Sequence, residues 1–275
     1  MSYVAYHFKV EPPQPGSEIL IAVIADYGFD TFDSTEDGFT AYIKEESSKD
    51  LPLEDLVFDD FKFSWTSEKI ETENWNAEWE KNFEPVVVDD LLCIRAPFHE
   101  VNTQVKHQIV IMPKMSFGTG HHQTTRLMCR EMFGIHLRGA RVLDMGTGTG
   151  ILAILAKLLG AAEVVGIDID EWSVENAIEN CAVNGFPGIS LLKGDVDLLQ
   201  SQKPFECILA NINKNILKVQ LPFYSTALLS GGYLFLSGFF TTDVTELRGV
   251  AEALGFDFVH SRSENEWAMM VLKKG

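Results

Sequence analysis

The chain has 275 residues, 46% of them hydrophobic, enough apolar material for one large domain or a large domain with a small partner. Its formal net charge of −18 argues against a protein that grips nucleic acid through phosphates, since that binding needs a Lys/Arg stripe and none occurs; an acidic surface instead favours encounter with cationic partners. Cys93, Cys129, Cys181 and Cys207 show no C-x-x-C spacing, the N-terminus has no secretory leader pattern, and no apolar run reaches membrane-spanning length, so a cytoplasmic protein without a disulfide framework or membrane span is expected.

Residues 3–10 alternate and are rich in β-formers, which predicts a strand. Residues 16–27 carry helical apolar spacing. Residues 31–32 and 38–44 read as paired strands around the turn Glu36-Asp37-Gly38. A short helix over 50–58 and a strand over 61–66 complete the order β-α-β-β-α-β, the split arrangement of ferredoxin-like domains. A small α+β domain over 1–68 is the expectation. Polar residues 71–74 read as part of a linker over 69–82, and Trp75, Trp79 and Phe83 recur every fourth residue, on one face of a linker helix.

From residue 86 onward strands and helices alternate. Residues 141–144 form a buried-type strand, 151–159 a helix closed by Gly160, 163–168 a strand, and 171–184 a helix closed by Gly185. Strands at 189–192 and 207–211, a helix near 214–229 and a strand at 233–236 follow. This is the doubly wound α/β pattern. After a helix near 244–254, two strand-like runs, 256–262 and 267–272, are joined by the polar turn Ser263-Glu264-Asn265. The sheet is therefore expected to end in a hairpin with one antiparallel strand, as a seven-stranded Rossmann-like domain over 83–275.

The segment Val142-Leu143-Asp144-Met145-Gly146-Thr147-Gly148-Thr149-Gly150 joins a strand to a helix. Glycines let the backbone turn tightly and approach a ligand, and the helix behind them offers free N–H groups and a positive dipole end. A dinucleotide loop needs G-x-G-x-x-G, whereas here the third glycine comes one position early and Ile151 follows it. The loop fits the amino-acid end of S-adenosylmethionine better than a pyrophosphate. The next strand ends in Asp168, placed to accept both ribose hydroxyls; Asp170 is the better candidate for helix N-cap. Asp195, after the third strand, is a candidate for the adenine amino group or for turn chemistry. His121 and His122 are neighbours with no Cys, Asp or Glu set around them, so no metal site is expected and His122 is assigned to ordering its own loop.

Ser116-Phe117-Gly118-Thr119-Gly120-His121-His122-Gln123-Thr124-Thr125, the strand end Leu209-Ala210-Asn211-Ile212, and the Trp75/Trp79/Phe83-x-Pro85 stretch resemble the methyltransferases of large-subunit ribosomal protein eleven. The resemblance covers about residues 74–275, and the small domain in front fits by pattern. It implies a class I methyltransferase domain behind an N-terminal substrate-recognition domain. It also implies S-adenosylmethionine as methyl donor, held by Thr125, Gly146, Asp168 and Asn211, with Asn211 orienting the amine. The implied substrate is ribosomal protein eleven, methylated on lysine side chains and its α-amine. The family often has Thr and Pro where this chain has His121 and Gln123, so no contact is assigned to His121. No residue stands out as a dedicated base, which points to catalysis by positioning and desolvation. A monomer is expected, for want of any oligomerisation signal.

Two other readings remain open on the residues alone. One is a class I methyltransferase acting on RNA or a small molecule, although the strand ends Asn211-Ile212-Asn213-Lys214 rather than in the N-P-P-Y type motif of amide and adenine methylation. The other is a non-catalytic module that binds an adenosyl ligand.

Overall fold

The computed structural model of the chain describes residues 3–49, 51–70, 83–102, 104–114 and 116–275. It divides into two compact units, Met1–Phe83 and Glu84–Gly275. In the first, β1 (Tyr3–Glu11), β2 (Thr31–Thr35), β3 (Gly38–Lys44) and β4 (Lys62–Ile70) form an antiparallel sheet in the order β2-β3-β1-β4. Leu20 and Ile24 of helix α1 (Pro13–Ile24) share an aromatic-rich core with Tyr6, Phe8, Phe29 and Phe39.

The helix expected over 50–58 does not form; among the described residues that stretch holds only a 3-10 turn, Leu53–Asp55. Pro52 interrupts its start, and Asp59 and Asp60 would place negative charge at its C-terminal end, where the helix dipole is also negative. One turn suffices to bring Leu53 into the core, with Leu56 and Phe58 packed against it. Strand β4 runs to Ile70, into the expected linker. The rest of that linker, with Trp75 and Trp79 of the aromatic stripe, lies outside the described residues.

The second unit contains the doubly wound sheet. Its strands are β8 (Arg141–Met145), β9 (Glu163–Asp168), β10 (Ser190–Lys193), β11 (Phe205–Asn211), β12 (Leu228–Phe240), β13 (Phe256–Glu264) and β14 (Trp267–Lys274), in the order β10-β9-β8-β11-β12-β14-β13. Neighbours from β10 to β12 pair in parallel, and β14 runs antiparallel to both β12 and β13. The expected closing hairpin is thus present. Alternate residues of each strand enter opposite cores, as the two-residue period of a strand requires. Val142 and Val164 face Leu127, Met128 and Ile154; Leu143 and Val165 face Leu217, Leu221 and Leu247. The helices that cover the two faces are α2 (Gln123–Met132), α3 (Ile151–Leu158) and α4 (Glu171–Val183) on one side, and α5 (Lys214–Ala227) and α6 (Val244–Ala253) on the other. The order reverses at β8, between β9 and β11, and such a switch point opens a crevice at the carboxyl ends of the strands.

Residues 86–140 form elements the sequence pattern does not assign: a small sheet of β5 (Val86–Val88), β6 (Leu92–Arg95) and β7 (His107–Val110), followed by α2. An asparagine ladder on α4 fastens the chain leaving β7. Asn184 brackets Val110, accepting from its N–H at 2.9 Å and donating to its carbonyl at 2.7 Å. One turn earlier, Asn180 accepts from Met112 N–H at 2.8 Å and donates to Thr149 O at 2.8 Å. A further turn back, Asn176 donates to Ser116 Oγ at 2.9 Å. The three amides are spaced four apart and share one helix face, and Asn180 and Asn184 take over backbone partners that a neighbouring strand would supply.

Asn180→Leu strips a partner from the Met112 N–H and from the carbonyl of the buried Thr149 at once. It is expected to lower stability by about 2–4 kcal/mol, read as a shift in urea midpoint at unchanged slope; a loss below about 0.5 kcal/mol would remove the ladder from the stabilising interactions.

Candidate active site

The crevice at the switch point is built on one turn. Between β8 and α3 the backbone passes through Gly146 and Gly148 at φ +73° and +53°. Both also lack room for a side chain. A Cβ at 146 would come within 2.2 Å of Ile212 Cγ2, and one at 148 within 2.3 Å of the Phe117 carbonyl oxygen. Only glycine meets both conditions. Gly146 and Thr147 donate their N–H groups to Ile167 O, at 2.8 and 3.0 Å, and Gly148 N–H donates to Asp168 Oδ2 at 2.8 Å. Asp168 Oδ1 accepts from Asp170 N–H at 3.1 Å. Asp168 is therefore buried against the turn while lining the cleft. Asp170 occupies the N-cap position of α4, but its side chain makes no capping bond.

Asp144, three residues before Thr147, is wholly enclosed. Its Oδ2 accepts from Thr147 Oγ1 at 2.7 Å and from Ala153 N–H, in the first turn of α3, at 3.1 Å. Burial pushes its carboxyl up to about 7; the two hydrogen bonds work against the rise and the Asp168 charge adds to it.

The 116–125 segment lies over the turn. Thr149 N–H and Oγ1 donate to Phe117 O and Gly118 O at 3.0 and 2.7 Å. His122 caps α2, its Nδ1 accepting from Thr124 N–H at 3.3 Å and meeting Thr124 Oγ1 at 2.8 Å. The loop-ordering role read for His122 is thus a helix cap. His121 meets Glu84 O through Nε2 at 2.9 Å. Among the described residues no group of three His, Cys, Asp or Glu could hold a metal, and no helix is long and apolar enough to cross a membrane.

Asn211 ends β11, paired with Ser237 of β12. Its Nδ2 lies 3.5 Å from Thr125 Oγ1, a long hydrogen bond, and its Oδ1 is buried with no partner among the described residues. Thr125 is fully buried and meets Asn211, while its neighbour Thr124 lines the cleft. Gly146, Asp168 and Asn211 share one open cleft of about 890 Å³, within the size range of small-molecule sites.

Two apolar surfaces line the same cleft. Ile169 and Val219, 62% and 68% exposed, stand beside Asp168 and Asp195. On the Asn211 side is an aromatic wall: Phe117 and His122 rings 5.2 Å apart, His122 and Trp267 4.7 Å apart, and Trp267 against Phe240 at 4.3 Å. Burial, then the charge of Arg126, lowers the His122 pKa, so the wall is neutral at pH 7. Trp267 escapes the sequence reading because it reads as one more strand residue; only the antiparallel return of β14 beside β12 brings it to the cleft.

The cleft has the parts an adenosyl ligand requires: a glycine cradle that a Cβ would fill, an acid with lone pairs beside it, apolar faces for a base, and an unpaired buried acceptor. Known proteins match along the same lines. The family described as ribosomal protein L11 methyltransferase (PrmA) matches residues 25–275. Proteins named ribosomal protein L11 methyltransferase from Phocaeicola vulgatus and Porphyromonas gingivalis are 40% and 42% identical to it; each alignment covers 98% of this chain, and 98% and 97% of theirs. The crystal structure of ribosomal protein L11 methylase from Lactobacillus delbrueckii subsp. bulgaricus superposes with a TM-score of 0.65 at 28% identity, covering 70% of this chain and 100% of that one. Sheet order and glycine turn define a class I methyltransferase domain. The chain belongs to the ribosomal protein L11 methyltransferase family.

Asp144 gives a pH signature. Its carboxyl is raised to about 7 in the folded chain, against about 3.9 in an unfolded one. The folded state therefore keeps this proton longer, and the stability it contributes is full below about pH 4, falls as pH rises towards 7, and is level above. Asp144→Asn is expected to remove this component, so the variant gains on the wild type between about pH 4 and 7 in urea denaturation; parallel pH curves would contradict it.

Proposed function

We propose that the chain transfers methyl groups from S-adenosylmethionine to amines of ribosomal protein L11, both lysine side chains and the α-amine. Asn211 carries the reading, because its Oδ1 is a buried acceptor without a partner among the described residues, at the strand end where cleft and aromatic wall meet. A group so placed gains about 1–3 kcal/mol when a donor satisfies it, and an amine is a donor.

Bound S-adenosylmethionine supplies an electrophilic methyl group on a sulfonium. The chain's own residues do the rest. Asp168 accepts the ribose hydroxyls with the lone pairs that Gly148 and Asp170 leave over. The turn at Gly146 receives the amino-acid end beside the positive end of α3. Ile169 and Val219 flank the base, and Asp195 accepts from its exocyclic amine. Thr125 holds the Asn211 amide through Nδ2, so that Oδ1 accepts an N–H of the incoming amine and turns its lone pair towards the methyl group.

A lysine must first be neutral, which costs about 4.6 kcal/mol at pH 7. Phe117, His122 and Trp267 exclude water around the amine, which disfavours the ammonium, and the proton leaves to solvent. We also read the first unit, with its sheet order β2-β3-β1-β4 and one α-helix among its described residues, as a ferredoxin-like variant that recruits the substrate. The formal charge of −18 favours a basic protein in that role.

Mass spectrometry of L11 incubated with the chain and S-adenosylmethionine is expected to show added methyl groups; unmodified L11 alongside methylated ribosomal RNA would reverse the substrate assignment. Asn211→Ala is expected to cut kcat about 100-fold while S-adenosylhomocysteine still binds, and an unchanged kcat would remove Asn211 from the chemistry. In calorimetry, Asp168→Ala is expected to weaken S-adenosylhomocysteine by about 10- to 100-fold, whereas loss of residues 1–68 leaves that affinity intact and abolishes L11 methylation.

A further inference from the structure

We propose that Gln220 and Tyr224 form a buried relay that fixes the orientation of the Asp195 carboxylate and so makes the cleft select a base with an exocyclic amine. The proposal rests on reading the cleft as an adenosyl site.

Gln220 and Tyr224 sit one turn apart on α5, on its buried face, at 5% and 0% exposure. A buried glutamine side chain is costly unless its amide is satisfied at both ends. Here it is. The Tyr224 hydroxyl donates to Gln220 Oε1, and Gln220 Nε2 donates to Asp195 Oδ1 at 2.7 Å. The direction of the chain is fixed by chemistry. A carboxylate only accepts, so the amide nitrogen must face Asp195 and the amide oxygen must face Tyr224. Burial, and then the charge of Asp195, push the Tyr224 hydroxyl above the usual phenol range, so it remains a donor throughout neutral pH.

The far end of the relay is at the cleft. Asp195 follows β10 and caps the 3-10 turn after it, with Oδ1 also accepting from Val196 N–H at 2.7 Å. Both bonds fall on Oδ1, and Oδ2 makes no hydrogen bond among the described residues, on a residue that is exposed at the cleft. Asp195 and Gln220 line the same cleft as Ile169 and Val219, whose exposed apolar side chains suit the faces of a planar base. An acceptor held at the edge of such a slot favours a purine that presents N–H there. A purine with a carbonyl at that edge would set two acceptors against each other, and both would be left unpaired. A free carboxylate could rotate away from the mismatch, whereas one pinned through Oδ1 cannot. Selectivity therefore lives in the buried pair as much as in Asp195.

Calorimetry on the full chain with S-adenosylhomocysteine and with S-inosylhomocysteine, in which a carbonyl replaces the exocyclic amine, tests this. Gln220→Leu is expected to weaken the adenosyl ligand about tenfold and Tyr224→Phe about threefold, with the inosyl ligand unchanged in both. Equal losses for the two ligands, as a purely structural role would give, or no loss in either variant, overturn the relay. Tyr224→Phe removes one oxygen without opening a cavity, so it decides the matter even if Gln220→Leu does not fold. Asp195→Asn separates the relay from the reading beneath it. If that variant keeps the wild-type preference, Asp195 does not read the base and the adenosyl reading of that end fails. If it loses the preference while Gln220→Leu and Tyr224→Phe keep it, the relay alone fails.

Discussion

Two carboxylates on adjacent parallel strands hold the glycine turn from opposite sides. Asp144 lies inside, in register with Gly166 of β9, and takes the Thr147 hydroxyl and the first-turn N–H of Ala153. Asp168 lies outside, at the end of β9, and takes the N–H of Gly148. Together with the Ile167 carbonyl, which takes the N–H groups of Gly146 and Thr147, these two acceptors hold the turn on its left-handed path. The two acids differ in surroundings. Asp144 is enclosed, so burial favours its neutral form; Asp168 sits at the cleft edge, where its remaining lone pairs are available.

A second layer depends on that turn. Thr149, in the middle of it, donates to the Phe117 and Gly118 carbonyls and receives the Asn180 amide on its own. The asparagine ladder on α4 thus ties three things together: the chain leaving β7, the glycine turn, and the segment that carries Phe117 and His122. The aromatic wall is then an indirect product of the same turn. Its other half, Trp267 and Phe240, arrives by the pairing of β14 with β12. The wall is thus built from two stretches more than 100 residues apart, and their meeting depends on the antiparallel strand at the end of the sheet.

The doubly wound half was legible because its signals are local. Parallel strands covered on both faces read as continuous apolar runs, and Gly160 and Gly185 mark helix ends by their own backbone preference. Gly146 and Asp168 were legible for a related reason: one directly follows β8 and the other ends β9, and strand ends of such a sheet surround the crevice, whereas Asn211, at the end of β11, came only with the family resemblance. Residues 86–140 were opaque. Their strands are three or four residues long, and α2 is capped by a histidine rather than by Ser, Thr, Asp or Asn, so no standard start signal marks it. The second helix of the small unit was over-read, since apolar spacing near Leu53 and Phe58 is equally served by one turn that plugs a core.

By itself, then, the sequence determined the wound sheet, its closing hairpin, the glycine turn and the acid beside it. Period, turn residues and strand-end chemistry act over a few residues and leave a local trace. Only the tertiary structure decided the pairings: Thr125 behind Asn211, the asparagines of α4 against β7, Tyr224 and Gln220 behind Asp195, and Trp267 beside His122. Each of these joins side chains whose types are ordinary and whose meaning comes from the partner. Hydrogen bonds and ring contacts act over a few ångströms of space, whatever their separation along the chain, and that distance is set by the packing of the whole sheet.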